Sequence, residues 1–320
     1  MRDFCIVGTG ISGSTIANLL KKKYSIQVID KAKGLGGRSS NKRYKKLLSF
    51  DHGLQFISPK TKEFKKFILN LESKKVVKKW KGLHIDLLNN KDDYKLRYIG
   101  KNGNNDISKY MLKKTKVLLA NEVLSISFNS VFWTLLLNNK KKVFSKNLVL
   151  TCPFPQIKNL AKKYLNNKMN NLRIKMQPNI TVMCAFKSPK KINISSIKFK
   201  DSIISWASNE NSKKRFNSNL SLWTIQCNLN WSRKNINFYK KQKKLLMQKI
   251  IKKFSNLTGF DINHIEFAKI HGWKYAYNLK KTNIKSYWSK KNSLGICGDW
   301  FLGSKAENSW QSAVNLYNKI

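Results

Sequence analysis

A glycine-rich turn near the start of the chain constrains its fold more than any other feature. The segment FCIVGTGISGSTIANLL, residues 4–20, carries no charged side chain, although 25% of the whole sequence is charged. Its glycines, Gly8, Gly10 and Gly13, follow the spacing G-x-G-x-x-G. In a strand, turn and helix, the first glycine permits a tight turn and the second lets a pyrophosphate approach the backbone, while the third lets the helix pack closely on the strand.

The residues on both sides of the turn fit this interpretation. Phe4 to Val7 is a short apolar run typical of a buried strand, and the helix that follows offers free N–H groups to phosphate near Ile11 and Ser12. SIQVID, residues 25–30, predicts a second strand that ends on Asp30 and is followed by Lys31. An acid at that position can accept hydrogen bonds from a ribose. We therefore predict a dinucleotide site, with a ligand-free glycine turn as the alternative.

Two other interpretations of the apolar segment are disfavoured. A signal peptide needs a basic leader, yet Asp3 lies in the leader and the glycines interrupt the apolar region. A membrane-spanning helix needs about 20 mostly apolar residues, and this run is shorter and contains several hydroxyl side chains. We therefore expect no transmembrane segment.

The cysteines and histidines predict neither disulfides nor a metal site. Five cysteines are an odd number, and they are widely spaced without a CxxC pair: Cys5, Cys152, Cys184, Cys227 and Cys297. The four histidines show no i, i+4 pairing: His52, His84, His264 and His271. We expect no bound metal and a reducing, cytoplasmic location.

The formal net charge of +48 raises the possibility of nucleic-acid binding. Only seven of the 64 basic residues are arginine, the residue that makes bidentate contacts to phosphate and guanine. The lysines are spread over nearly every segment, as on a solvated surface. We expect no specific nucleic-acid partner and retain non-enzymatic polyanion binding as an alternative function.

Two further motifs follow the second strand. The glycine doublet Gly36–Gly37 allows close backbone approach, and Arg38 offers a cation to a diphosphate. The second motif reads DHGLQ and consists of Asp51, His52, Gly53, Leu54 and Gln55.

The end of the sequence contributes a last motif. The stretch SLGICGDWFLGSKAENSWQSAVNLYNKI predicts a strand, then Gly298 and Asp299, then a helix. The helix is indicated by an apolar face at i, i+3, i+4 and i+7, formed by Trp310, Ala313, Val314 and Tyr317.

The order GTGISG, an acid at the second strand end, GGR, DHGLQF and GD resembles the flavoproteins of the renalase and amine-oxidase group, which bind FAD. The similarity spans nearly the whole chain and is most specific at its two ends. It implies non-covalent FAD, bound by the glycine turn, Asp30, Lys31, Gly37, Arg38 and residues 51–55. It further implies a backbone contact from Val123 to the adenine, Asp299 beside the ribityl chain, and the helix start near Asn308 and Ser309 at the flavin edge.

The resemblance implies an α/β fold in two parts. A glutathione-reductase-like Rossmann FAD-binding domain would comprise residues 1–60, 101–165 and 286–320. A substrate domain with a mixed or antiparallel sheet would comprise residues 61–100 and 166–285. Within the first part, residues 116–128, 131–137 and 146–156 each predict a strand.

The implied activity is hydride transfer from a small reduced substrate, of dihydronicotinamide type, to flavin N5, with oxygen as the acceptor. A hydride that leaves a dihydropyridine needs no general base, so no catalytic side chain is named. Amine oxidation and desaturation of a polyene remain alternatives. We nominate four aromatic residues for a flat substrate wall, with core packing as the alternative for each: Trp206, Trp223, Trp273 and Tyr275.

Overall fold

The structure is a computed structural model that describes residues 1–45, 48–187 and 193–320. The helices are α1 (Ile11–Leu20), α2 (Lys62–Ser73), α3 (Asp106–Met111), α4 (Phe154–Ala161), α5 (Asn167–Asn170), α6 (Leu229–Asn235), α7 (Lys243–Thr258) and α8 (Ala306–Tyr317). Short 3-10 turns span Gly37–Ser39, Lys162–Tyr164, Asn211–Lys213, Ile262–His264 and Asp299–Phe301.

The strands up to residue 150 are β1 (Arg2–Val7), β2 (Ile26–Ile29), β3 (Asn41–Tyr44), β4 (Leu48–Asp51), β5 (Val77–Lys79), β6 (Leu83–Asp86), β7 (Lys91–Asp92), β8 (Tyr98–Gly100), β9 (Lys116–Leu118), β10 (Val123–Phe128), β11 (Trp133–Leu137) and β12 (Lys142–Leu150). The later strands are β13 (Met176–Lys187), β14 (Ile194–Lys198), β15 (Ile204–Asn209), β16 (Leu220–Cys227), β17 (Ile265–Asn278), β18 (Tyr287–Ser289) and β19 (Leu294–Ile296).

The first sheet is built around β1, the strand that leads into the glycine motif. Strand β1 pairs in parallel with β2 and β12, β2 pairs with β9, and β12 pairs with β19. Helix α1 begins directly after the turn, and a Cβ on Gly13 would overlap the carbonyl oxygen of Gly8. Glycine is therefore required for α1 to start so close to β1. The α/β fold class predicted from the sequence is confirmed.

One predicted strand is divided in two. Residues 116–128 form β9 and β10, separated by a turn in which Ala120 has a φ of 57°. That left-handed conformation interrupts extended backbone. Strand β9 remains in the parallel sheet beside β2, whereas β10 turns away to pair antiparallel with β11.

The second sheet is largely antiparallel and has the strand order β17-β13-β16-β15-β14-β6-β7. Helix α7 packs on one face through Leu246, Ile250 and Phe254, which join a core with alternate residues of β13 and β16. On the other face, Met183, Ala185 and Leu222 form a core with Leu48 and Phe50 of β4. The strands of this second sheet come from residues 83–92 and 176–278. The division of the chain into two domains stays a prediction.

A buried ion cluster joins the end of β4 to the second sheet; it consists of Asp51, Glu210, Lys213 and Arg215. All four side chains are at most 2% exposed. Lys213 Nζ lies 2.9 Å from Asp51 Oδ2 and 2.9 Å from Glu210 Oε2, and Arg215 Nη1 donates to Asp51 Oδ2 at 2.5 Å. The two positive and two negative charges balance. These pairs hold the pKa of Asp51 well below its usual range, whereas burial raises that of Glu210.

No helix within the described ranges is both long enough and apolar enough to span a bilayer.

Removing Lys213 tests the importance of the cluster. We expect Lys213→Met to lower the free energy of unfolding by about 3–5 kcal/mol, because two carboxylates then lose a buried partner. Urea unfolding at neutral pH measures this loss.

The neighbouring Lys214 is exposed and serves as the matched control, since Lys214→Met should change stability by less than about 0.5 kcal/mol. Adding Glu210→Gln to Lys213→Met should recover part of the loss. A Lys213→Met protein as stable as the parent would contradict this role.

Candidate functional site

A cavity of about 440 Å³ lies between the two sheets. It is lined by Gly10, Ile11, Ser12, Gly36, Arg38, Ser39, Gly53, Leu54, Gln55, Phe56, Thr151, Asn179, Trp206, Gln226, Trp273, Ala276, Tyr277, Asp299, Ser304, Lys305, Ala306 and Ser309. These lining residues include members of the glycine turn, of the GGR, DHGLQ and GD motifs, and of the start of α8. Segments that are far apart in the sequence therefore form one continuous surface.

One end of the cavity is the start of α1. Gly10 occupies the N-cap position, and no side chain caps this helix. The first-turn N–H groups of a helix have no intrahelical partner. Because no side chain caps them here, they can bind an anion. A Cβ on Gly10 would meet no atom nearer than the Gly36 carbonyl oxygen at 3.9 Å, so the space above this glycine is open. The turn can thus admit a phosphate group at close range.

The GGR and GD motifs meet through an ion pair. Arg38 Nη1 and Nη2 donate to the two carboxylate oxygens of Asp299 at 2.9 and 2.5 Å. Arg38 Nη1 also donates to the carbonyl oxygen of Ala276 on β17 at 2.8 Å. The Arg38 side chain is 31% exposed and that of Asp299 only 5%. Arg38 therefore ties both chain ends to the second sheet while part of its guanidinium faces the cavity.

The other end of the cavity is a row of side chains across four adjacent strands. Trp206 on β15 lies opposite Gln226 on β16, and Asn179 on β13 lies opposite Trp273 on β17. The amides are fixed, because Gln226 Nε2 donates to the Gly53 carbonyl at 2.7 Å and Asn179 Nδ2 to that of Cys227 at 3.0 Å. The indole N–H of Trp206 is buried and has no partner among the described residues. This end combines flat aromatic walls with fixed polar groups.

Two of the four nominated aromatic residues line this end, and two do not. Trp206 and Trp273 do. The expectation for Trp223 is wrong: it is 0% exposed and packs against Phe254 of α7, since residues 223 and 226 of one strand project from opposite faces.

The expectation for Tyr275 is also corrected. The pairing of β17 with β13 shifts between Trp273 and Tyr277, where three residues of β17, 274–276, stand opposite the single residue Pro178 of β13. Tyr275 packs against the core of the first sheet, and Tyr277 lines the cavity in its place. Such an irregularity changes which side chains share a face.

One part of the DHGLQ motif lines the cavity, and the other part is buried in the interior. Gly53, Leu54 and Gln55 line the cavity. The expectation that Asp51 contacts a cofactor is corrected, because its carboxylate belongs to the buried ion cluster and is 0% exposed. The His52 carbonyl accepts from Trp273 Nε1 at 3.0 Å, and its ring stacks on Trp273. Asp51 and His52 therefore lie behind the cavity wall and do not line the cavity themselves.

Another group of residues that the sequence predicts to bind a cofactor lies near the start of α1. Asp30 accepts from Thr9 N and Oγ1 at 2.7 and 2.6 Å, and Lys31 pairs with Glu122 at the surface. Gly37 lies against Gly10, and a Cβ there would come within 3.3 Å of Gly10 Cα. Roles in cofactor binding for these residues and for Gly8 and Gly13 stay predictions.

At the second chain end, Ser309 lines the cavity and its carbonyl accepts from Ser12 Oγ at 3.0 Å. Asn308 does not line it, since its amide donates to the carbonyls of Leu302 and Gly303. Gly298 N donates to Ser312 Oγ at 3.0 Å, and Val123 packs in the core at the start of β10. The cofactor contacts proposed for Val123, Gly298 and Asn308 stay predictions.

Several lining residues carry no motif in the sequence. Phe56 directly follows DHGLQ and could have been found by extending it. Asn179, Gln226 and Tyr277 are brought together only by strand pairing. Lys305 precedes the first residue of α8, a helix start without a side-chain cap.

Neither a metal centre nor a reactive thiol is present at this site in the described part of the chain. No group of three or more His, Cys, Asp or Glu side chains there could hold a metal ion. None of the cysteines lines the cavity. Burial raises the pKa of the Cys152 thiol to about 12, so it stays protonated and weakly nucleophilic at neutral pH.

The histidines behind Trp273 are held neutral. His271 lies edge-on to His52 and to Trp273, with ring centroids 4.9 and 4.3 Å away. Burial lowers the pKa of both imidazoles from 6.5 to about 4, and in His271 the charges of Lys269, Lys42 and Lys243 add to this.

These shifts predict a loss of stability in mild acid. Between about pH 6.5 and 4, the unfolded chain binds protons that the folded one does not, so the free energy of unfolding falls as pH falls. We expect His271→Asn to reduce this slope by about 1 kcal/mol per pH unit in urea unfolding. The exposed His264 is the control, and an equal effect of His264→Asn would contradict the account.

Comparisons with known proteins agree with the fold. A family model for an NAD(P)-binding Rossmann-like domain matches residues 6–70. A protein provisionally assigned as a protoporphyrinogen oxidase, from Exiguobacterium sp. 255-15, has 10% sequence identity and a TM-score of 0.74, with 99% of this chain and 98% of that chain covered. Cyclohexylamine oxidase from Brevibacterium oxydans IH-35A has 11% identity and a TM-score of 0.70, with 99% and 98% covered. Putrescine oxidase bound to putrescine has 12% identity and a TM-score of 0.66, with 99% and 97% covered. Residues 6–70 thus resemble a Rossmann-like NAD(P)-binding domain, and the chain has the fold of these solved structures.

Proposed function

We propose that this protein is an FAD-dependent oxidoreductase that oxidises a small reduced molecule, with oxygen as acceptor. One observation carries the proposal. A single cavity runs from the uncapped start of α1, where a diphosphate fits, to the row formed by Trp206, Gln226, Asn179 and Trp273, where a planar substrate fits. The fold shared with three kinds of oxidase supports the same class of reaction.

The residues present fit FAD. The N–H groups of Ile11 and Ser12, the open space at Gly10 and the guanidinium of Arg38 would hold the diphosphate. A second helix start, that of α8, also reaches the cavity without a side-chain cap. It would stabilise negative charge on a reduced ring. Because no cysteine of the described residues lines the cavity, the cofactor would be held non-covalently.

When bound, FAD supplies the ring that accepts the hydride and returns the electrons to oxygen. The chain's own residues position the substrate. Trp206, Trp273 and Phe56 offer aromatic faces, and the hydrogen-bonded amides of Asn179 and Gln226 hold the walls in place. Within the described lining, no histidine or unpaired carboxylate is available as a general base. A dihydronicotinamide donor needs none, and we therefore propose this class of substrate.

Amine oxidation is the second candidate. Phe56, Trp206, Trp273 and Tyr277 surround one end of the cavity, and aromatic rings of this kind can form a cage for an amine. Two of the solved proteins with this fold are by name amine oxidases.

The first test is cofactor content. We expect the purified protein to be yellow and to release FAD on heating. Gly10→Val should reduce FAD content by at least about tenfold, because the side chain would occupy the space through which the diphosphate approaches. The fold should persist, since a Cβ at Gly10 meets nothing nearer than 3.9 Å.

A matched control is Gly34→Val in the neighbouring loop. A Cβ on Gly34 meets no atom within 4 Å, and this variant should keep normal FAD content. Circular dichroism of all three proteins establishes that they are folded. Normal FAD content in Gly10→Val would refute the assignment of the phosphate turn.

The second test identifies the electron donor. In anaerobic stopped-flow mixing, we expect a dihydronicotinamide isomer to bleach the flavin absorbance, and Trp273→Ala to slow bleaching by about tenfold or more with FAD content unchanged. Bleaching by amines alone would favour the second candidate. Absence of bleaching by either class would refute both.

A further inference from the structure

The surface formed by α6 and α7 carries a dense positive charge. Residues 233–252, called the basic segment below, run from the end of α6 through a turn into α7. Eight of these 20 residues are basic, against 64 of 320 in the whole chain, and none is acidic. All eight are exposed: Arg233, Lys234, Lys240, Lys241, Lys243, Lys244, Lys249 and Lys252. A concentration of charge of this kind attracts anionic partners.

Neighbouring acids do not neutralise the basic segment. Three acidic residues lie on or beside the elements that pack against α7, and all three have partners outside the segment: Asp201 with Lys253, Glu266 with Lys45 and Lys187, and Asp261 with His264. Between described residues, no ion pair includes any of the eight basic side chains. Their charges are therefore available to an external partner.

Two large apolar side chains lie among these charges. Phe238 is 54% exposed and Leu245 is 61% exposed. Gln242 N donates to the Phe238 carbonyl at 2.9 Å, and Leu246 N donates to the Gln242 carbonyl at 3.0 Å, so the chain winds with a helical period before α7 begins. Residues seven positions apart lie on one side of a helix, and Phe238 and Leu245 therefore share a face.

That face points away from the protein core. Helix α7 packs on the second sheet through Leu246, Ile250 and Phe254. By the same helical spacing, Lys241 and Lys249 fall on the outer side, beside the two exposed apolar side chains. An outer face that combines apolar anchors with lysines is typical of helices that lie in the surface of an anionic bilayer.

The side chains of the basic segment favour a bilayer over the other anionic partners. Seven of its eight basic residues are lysine, whereas arginine makes the bidentate contacts by which proteins bind phosphate and bases. Leu245 has no flat face on which a base could stack, but it gains from burial at the boundary of the acyl chains. A second copy of the chain is disfavoured, because both copies would carry a net charge of +48.

We propose that the outer face of residues 233–252 docks this protein on an anionic lipid bilayer, with the lysines over the headgroups and Phe238 and Leu245 at the boundary of the acyl chains. The proposal goes beyond the FAD-dependent function and does not depend on it.

Sedimentation of the full-length protein with lipid vesicles tests the proposal. One set of vesicles consists of phosphatidylcholine, and the other also contains phosphatidylserine. We expect the protein to bind the mixed vesicles at least about tenfold more tightly, because only these carry negative charge. Binding should weaken as the salt concentration rises.

Matched substitutions on α7 and α2 locate the binding surface. Helix α2 also exposes three lysines and a leucine, but it contains Glu63 and Glu72. We expect the α7 triple variant to bind mixed vesicles about tenfold or more weakly and the α2 triple variant to lose less than about twofold. The first variant carries Lys241→Gln, Lys244→Gln and Lys249→Gln, and the second carries Lys62→Gln, Lys65→Gln and Lys66→Gln. Circular dichroism establishes that both are folded.

A fluorescent label tests the apolar contact. The five native cysteines are buried or half-buried, so a cysteine added at the surface can be labelled selectively. A polarity-sensitive dye on Phe238→Cys should shift its emission to the blue with mixed vesicles. The same dye on Leu69→Cys of α2, where the leucine is 45% exposed, should not shift.

Equal binding to the two kinds of vesicle, equal losses in the two triple variants, or an unshifted dye at position 238 would overturn the inference. Binding to a double-stranded DNA oligonucleotide without binding to mixed vesicles would also overturn it, and would assign this face to nucleic acid.

Discussion

The buried ion cluster is the interaction on which the rest of the site depends. Asp51 ends β4 and immediately precedes the loop that lines the cavity, while Lys213 and Arg215 belong to the segment between β15 and β16. Four buried charges tolerate little displacement, because each would otherwise lose its partner in a medium that solvates charge poorly. The cluster therefore fixes the distance between the loop and the second sheet, and thus the width of the cavity.

A second constraint acts at the other wall. Arg38 links the GGR loop, the GD motif and the carbonyl of Ala276, so that three remote segments share one guanidinium. Its planar, multidentate geometry suits this junction, and lysine could not reproduce it. The pair also neutralises Asp299, which otherwise would be an acid beside a proposed diphosphate. Structure and electrostatics at this end thus depend on the same contact.

The sequence predicted those parts of the fold that local rules determine. Gly8, Gly10 and Gly13 act within one turn, and their spacing specified the strand, turn and helix that the structure contains. The substrate end was harder, because Trp223 and Gln226 lie three residues apart in one strand and only the packing of α7 decides which of them faces the cavity. The extra residues of β17 moved Tyr275 away from the cavity and brought Tyr277 to it, and no local pattern marks such an irregularity.

The ion cluster could not be predicted from the sequence either. Lys213 stands beside Lys214 in a chain rich in lysine, yet one is buried and the other exposed. Asp51 was expected to contact a cofactor as part of the DHGLQ motif, and instead its carboxylate lies in the buried ion cluster. Long-range pairing of charges, with a sequence separation of 162 residues between Asp51 and Lys213, leaves no periodic signal.

The most direct test of the account is a crystal structure of the protein loaded with FAD. We expect the diphosphate at the first turn of α1, within hydrogen-bonding distance of the Ile11 and Ser12 amides, and the ring system facing Trp206, Asn179, Gln226 and Trp273. Density for FAD at another surface, or a saturated crystal with an empty cavity, would contradict it.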